Sequence, residues 1–343
     1  MAEGGVVTDS NEQQSGPDTA PITFKDLIPD AGVPRLPDAP FGLGKRRTLS
    51  DLQRKEYVFL VLAALSLTAT LVLTIWKLAT LSKTSNDFSF ALVLLLSTLF
   101  CVWYVVEGVW MERPYEIFVL SLSTCIVWLY IILNFALGKR DVVKMVRLIV
   151  TSVLSPFIIV FAILIAKHYF DSGRLIFRTV GAQSLMQRMC WTLFGFFGWL
   201  KFDLQLSLSM VILILTTGQT LHELELVIII VGIIVVLGCA VLGYLGVRNE
   251  NQILSIIFSC TLILQPSYII YKIVESVSKF SPSTDNLALP TIVCGTVALF
   301  TRCVMITYFV KSWLNYGKGL KQKVFAGNQT DEEVNRNNET VQA

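Results

Sequence analysis

Apolar residues in this chain come in long, nearly unbroken runs separated by short polar or charged connections, without the strict alternation of a half-buried strand. A membrane-spanning helix needs about 20 such residues, each rising 1.5 Å. Runs of that length fall near 56–80, 88–110, 115–137, 147–169, 193–217, 224–247, 252–275 and 290–314. They predict an all-α fold, a polytopic transmembrane helical bundle of about eight spans. The count falls to seven if the fifth run, interrupted by Lys201 and Asp203, does not cross.

The flanking regions read differently. Residues 1–55 are polar and carry Pro29, Pro34, Pro37 and Pro40, so a disordered cytosolic tail with no cleavable leader is expected there. Lys45-Arg46-Arg47 in that tail, with Arg54 and Lys55, reads as the positive flank of the first span; a lipid-facing patch or a kinase site at Thr48 or Ser50 is the alternative. Residues 56–314 form the membrane domain. Residues 315–343 form a polar tail whose sequons at Asn328 and Asn338 are read as unused, because both termini are expected inside.

That orientation follows from the basic residues beside the span ends. With eight spans and the amino terminus in the cytosol, fifteen Lys and Arg side chains flank the inner side, among them Arg113, Arg174, Arg178, Arg188, Arg248 and Lys321, against eight on the outer side. The connection Gly138–Arg147, with Lys139, Arg140, Lys144 and Arg147, runs against the rule.

Composition narrows the function classes. Hydrophobic residues make up 54% of the 343 and charged residues 15%, with a mean hydropathy of +0.63. The net charge of +3 is spread in short clusters beside apolar runs, which gives nucleic-acid binding little support. All seven cysteines lie in or beside apolar runs, which argues against a disulfide framework. His168 and His222 stand far apart and no Cys-x-x-Cys occurs, so no metal site is expected; Gln219, His222, Glu223 and Glu225 read as a solvated loop. Phosphate-loop, nucleophile-elbow and zinc-protease motifs are all missing, and neither an enzyme nor a cofactor is expected.

The segment at 174–190 mixes apolar residues with Arg174, Arg178 and Arg188. Arg174 and Arg178, four apart, share a helical face, so an amphipathic helix at the cytosolic interface is expected, with its arginines near anionic lipid headgroups or a protein partner. Arg178-Thr179-Val180-Gly181-Ala182, then Arg188-Met189, then Leu200-Lys201-Phe202-Asp203 resemble the central signature of a poorly characterised family of multi-pass membrane proteins of fungi and animals. In that family a Val-Gly-Ala segment and an arginine-rich turn lead into a span carrying Leu-Lys-Phe-Asp. The resemblance covers 178–203 and implies a multi-pass fold without implying an activity. Leu204, Gln205 and Leu206 stand where family members often continue with phenylalanines.

Charge inside a span is the sharpest functional signal. An isolated Lys or Asp near the centre of a span costs roughly 2.5–3.5 kcal/mol, so each needs a partner. Two residues apart on a helix, Lys201 and Asp203 point about 200° away from each other and need different partners. Gln205 extends the Lys201 stripe and Ser207 the Asp203 stripe. Glu107, Gln265 and Arg302 are the other strongly polar residues at depth, and Arg302 with Asp203 or Glu107 is the pair to examine. The cluster Lys201, Asp203, Glu107, Gln265 and Arg302 lines a pathway or binding cavity on one reading and fixes packing on the other. Pro156 and Pro266 interrupt their spans, and glycines in the fifth and sixth runs allow close helix approach. A transporter-like or channel-like protein ranks first, a membrane adaptor second and a seven-span receptor third. A transporter is expected to show inverted internal symmetry, and no convincing repeat is visible between the halves.

Overall fold

The computed structural model describes residues 52–80, 86–137, 142–214, 223–278 and 288–325. Those residues form ten helices: α1 (Arg54–Thr80), α2 (Asn86–Trp110), α3 (Pro114–Leu137), α4 (Val142–Ser172), α5 (Arg174–Val180), α6 (Ser184–Ile214), α7 (Glu223–Arg248), α8 (Gln252–Ser278), α9 (Ala288–Trp313) and α10 (Leu320–Phe325). All but α5 and α10 are long and apolar enough to cross a membrane. The protein is a polytopic transmembrane helical bundle of eight spans, and the charged fifth run is one of them. The tail at 1–51, the sequons at Asn328 and Asn338 and the loop bearing Gln219 and His222 lie outside the described residues.

Local chemistry sets the helix ends. Glu56 Oε2 accepts from the Gln53 backbone N–H at 2.8 Å, half of a capping box that starts α1. Pro114 opens α3, where its missing N–H is no loss. Asn251 Oδ1 accepts from the N–H groups of Ile253 (2.9 Å) and Leu254 (3.4 Å), which caps α8. Pro156 and Pro266 lie inside α4 and α8, which continue through them.

The spans form two rings of four. α1, α2, α3 and α4 pack in cyclic order, and α6, α7, α8 and α9 repeat that order; α6 joins the rings by packing on α2 and α3. Four crossings return the chain to its starting side, so α6 runs in the same direction as α1 and the two units are parallel. The expectation of no repeat between the halves is corrected: the second four spans repeat the packing of the first, in the same direction. At a constant spacing the units match at Cys101 and Cys239, Gly108 and Gly246, Val109 and Val247, Glu112 and Glu250, Ser121 and Ser259, and Tyr130 and Tyr268. Substitution of most apolar residues by other apolar residues hides this in the sequence.

The hairpin turns make the repeat explicit. Glu112 and Glu250 both have φ 52°. Arg113 N donates to Gly108 O and Asn251 N to Gly246 O, each at 3.0 Å, and Glu112 N and Glu250 N donate to Val109 O (3.5 Å) and Val247 O (3.4 Å). This is the Schellman pattern, with a glutamate in the left-handed position that glycine usually takes.

Two boundaries move from their expected places. α4 begins at Val142, so Lys144 and Arg147 belong to a helix instead of the connection before it, and both are buried. Lys144 Nζ reaches Asp87 Oδ1 at 2.7 Å, which gives this buried cation a partner. The segment at 174–190 divides at Gly181 (φ 74°) into α5 and the first two turns of α6, because a left-handed glycine ends the short helix. α5 also buries Leu175, Ile176 and Val180, so it is docked on the bundle as well as facing outward.

Candidate functional site

The central helix is the one whose crossing was in question. In α6, 72% of the apolar window is buried inside the bundle, against 22% in α7 and in α8, whose apolar side chains, such as Ile234 and Ile263, face outward. Charges that would be costly against lipid lie on the helix that protein surrounds most completely.

One face of α6 looks into the seam between the units. Lys201 Nζ donates to Glu107 Oε2 of α2 and to Glu116 Oε1 of α3, the latter at 2.7 Å. Arg113, from the α2–α3 turn, approaches Glu107 Oε2 at 3.3 Å and Glu116 Oε1 at 3.8 Å. Two carboxylates and two cations thus balance within one cluster. Its aromatic walls are Trp103, with Lys201 Nζ 5.3 Å from the ring centroid, and Phe194, with the Arg113 guanidinium carbon at 5.5 Å. Glu116 and Arg113 are almost fully buried, whereas Lys201 and Glu107 keep 16% and 14% of their side-chain surface exposed, so the cluster has an open edge.

One turn further along, the same stripe of α6 continues in neutral groups. Gln205 Oε1 accepts from Tyr104 Oη at 3.0 Å, and Gln205 Nε2 donates to Ser123 Oγ at 2.7 Å. Ser123 Oγ also lies 3.2 Å from Cys101 Sγ.

The opposite face of α6 looks into its own unit. Asp203 Oδ2 meets Arg302 Nη2 of α9 at 2.7 Å, and Arg302 Nη2 donates to Ser207 Oγ at 3.3 Å. Gln265 Nε2 of α8 donates to the same hydroxyl at 3.3 Å. Helical geometry separated Lys201 from Asp203 in the sequence, and each has its own partners in the structure. The residues Lys201, Asp203, Glu107, Gln265 and Arg302 form two clusters, one on each side of α6.

Glu116 and Arg113 escaped sequence reasoning because both lie at a span edge, where charge is ordinary. A signal was present: Glu107 and Glu116 are nearly equidistant from the α2–α3 turn, so an antiparallel hairpin brings them to one level. Among the arginines of 174–190, Arg174 Nη2 lies 3.5 Å from Glu112 Oε1 and Arg188 is exposed. The Arg178 side chain lies outside the described residues. No group of His, Cys, Asp and Glu among the described residues has the arrangement of a metal site.

Fold and site together define a multi-pass membrane protein built from two parallel four-span units with a charged cluster at their seam. The chain belongs to the family described as a domain of unknown function (DUF7789), whose model matches residues 43–167 and 180–311. Those two segments correspond to the two units. Comparison with curated proteins and with solved structures gives no match.

Proposed function

We propose that the protein is a transporter-like or channel-like membrane protein in which the seam between the two units forms the pathway for a small ion or polar solute. The observation that carries this reading is the position of the Glu107, Glu116, Lys201 and Arg113 cluster, between two repeats. Transporters built from parallel repeats hold substrate and coupling-ion sites at the repeat interface, and ionisable residues within a membrane mark such pathways. Both termini are assigned to the cytosol from the basic flanks, and exposed Arg174 and Arg188 face anionic headgroups there. No catalytic role is proposed.

The test is flux through purified full-length protein in liposomes, using a panel of labelled inorganic ions and small polar solutes. Wild type is expected to exceed empty vesicles for at least one probe, and Glu107→Gln to remove that excess. The second reading, a non-transporting adaptor, draws on the Asp203–Arg302 contact, which ties α6 to α9 as a packing device would. Absence of flux for every probe, with partner recruitment by Glu107→Gln equal to wild type, would establish the adaptor.

A further inference from the structure

The interiors of the two units are filled differently. In the second, the Asp203–Arg302 pair, Ser207 and Gln265 occupy the space between α6, α8 and α9. In the first, helices α1 to α4 leave a cavity of about 30 Å³ with no charged residue in its wall. The polar lining consists of Ser66, Thr70, Thr98, Thr151, Ser155 and Cys101, together with Thr124. Each of the four helices contributes to it.

A cavity holds a water molecule once it offers about 10–15 Å³ and two to four polar partners, whereas an apolar cavity stays dry. Both conditions are met. Thr98 Oγ1 donates to Leu94 O at 2.7 Å and Thr124 Oγ1 to Leu120 O at 2.8 Å, so each keeps its oxygen lone pairs for a donor from the cavity. Thr151, 4% exposed, has a hydroxyl with no hydrogen-bond partner among the described residues. The lining therefore offers acceptors from α2 and α3 and an unpartnered hydroxyl from α4. No carboxylate lines the cavity. Water can both donate to the acceptors and accept from Thr151.

We infer that the first unit contains a water site in this cavity, from which side-chain hydrogen bonds run as far as Tyr104, beside the seam. Cys101 lines the cavity and touches Ser123, Ser123 bonds Gln205, and Gln205 bonds Tyr104, which lies one turn from Glu107 on α2. The amide of Gln205 is a poor proton relay, so the chain does not conduct protons. The water site stands whether or not the protein carries a solute.

The probe is hydroxyl radical, generated from water by X-ray radiolysis of the full-length protein in nanodiscs. Radicals born from a held water attack the side chains it touches. Cys101 is 3% exposed, and Cys190 and Cys294, both 0% exposed and away from the cavity, serve as internal references. Cys101 is expected to oxidise severalfold faster than either, and a Thr98→Val, Thr151→Val double variant to bring it down to their rate. Wild-type oxidation of Cys101 no faster than that of Cys190 and Cys294 overturns the inference, and this comparison stands even if the double variant does not fold. An unchanged Cys101 rate in a double variant of wild-type melting temperature overturns it equally.

Discussion

Glu112 and Glu250 occupy the same left-handed position of the same hairpin turn, one in each unit, and each receives the segment that follows its unit's last span. Glu112 meets Arg174 of α5 at 3.5 Å. Glu250 accepts from the backbone N–H groups of Gly317 (2.9 Å) and of Lys321 at the start of α10 (3.1 Å). The duplicated element is thus four spans plus a short helix, with a glutamate as the clasp.

The clasp sets two opposing terms. A non-glycine residue in the left-handed region costs about 1–2 kcal/mol, and each hydrogen bond to the partly exposed Glu250 carboxylate is worth about 0.5–1.5 kcal/mol after screening. Glu250→Ala keeps the strain and loses both bonds, so it should destabilise the protein by about 1–3 kcal/mol. Glu250→Gly loses the bonds but relieves the strain, and should fall close to wild type. Thermal unfolding of the two variants in detergent checks the order; an Ala variant as stable as the Gly variant would remove the strain argument.

Asp203 and Arg302 are buried partners, and truncating one leaves the other charged without its partner at depth. Asp203→Ala and Arg302→Ala should each cost about 3–5 kcal/mol, as broken buried ion pairs do. The double variant should cost clearly less than their sum, since removing both charges removes the uncompensated one. Melting temperatures for the four-member cycle measure the coupling. Additive losses would mean that the pair does not act as a unit.

Lys201 bridges two carboxylates from different helices of the first unit. Lys201→Met should weaken the seam by leaving Glu107 and Glu116 with Arg113 alone, and adding Glu107→Gln should restore part of the loss by rebalancing the charge. Resistance to limited proteolysis reads both variants. No recovery in the double variant would count against charge balance at the seam.

Close approach at one glycine separates two positions on α7. A Cβ at Gly243 would stand 2.7 Å from Phe258 Cε2 and 2.8 Å from its Cζ, whereas a Cβ at Gly238 would meet nothing within 4 Å. Gly243→Ala should cost about 1–3 kcal/mol through overpacking. Gly238→Ala should be neutral or stabilising by about 0.5–1 kcal/mol, from the helical preference for alanine. Paired melting curves decide between the two.

The spans were legible because crossing a membrane demands a long apolar run, and each such run became a helix, the fifth beginning about two turns earlier than expected, at Ser184. The opposed directions of Lys201 and Asp203 were legible too, because helical rotation is fixed by the backbone. Glu116 and Arg113 were not, since a charge beside a span end has no local reason to turn inward; the α2–α3 hairpin turns it there. Lys144 and Arg147 had no explanation in the sequence for a related reason. The partner of Lys144 is Asp87, which lies on another helix.

By itself the sequence determined that this is a helical membrane protein of seven or eight crossings and which charges need partners, because hydrophobic length and residue polarity act locally along the chain. Tertiary structure alone decided that the spans form two parallel units, that the charged helix is central, and that its two polar faces answer to different neighbours. Those outcomes depend on which helices pack together, and apolar residues facing lipid and apolar residues facing another helix look the same until the packing is known.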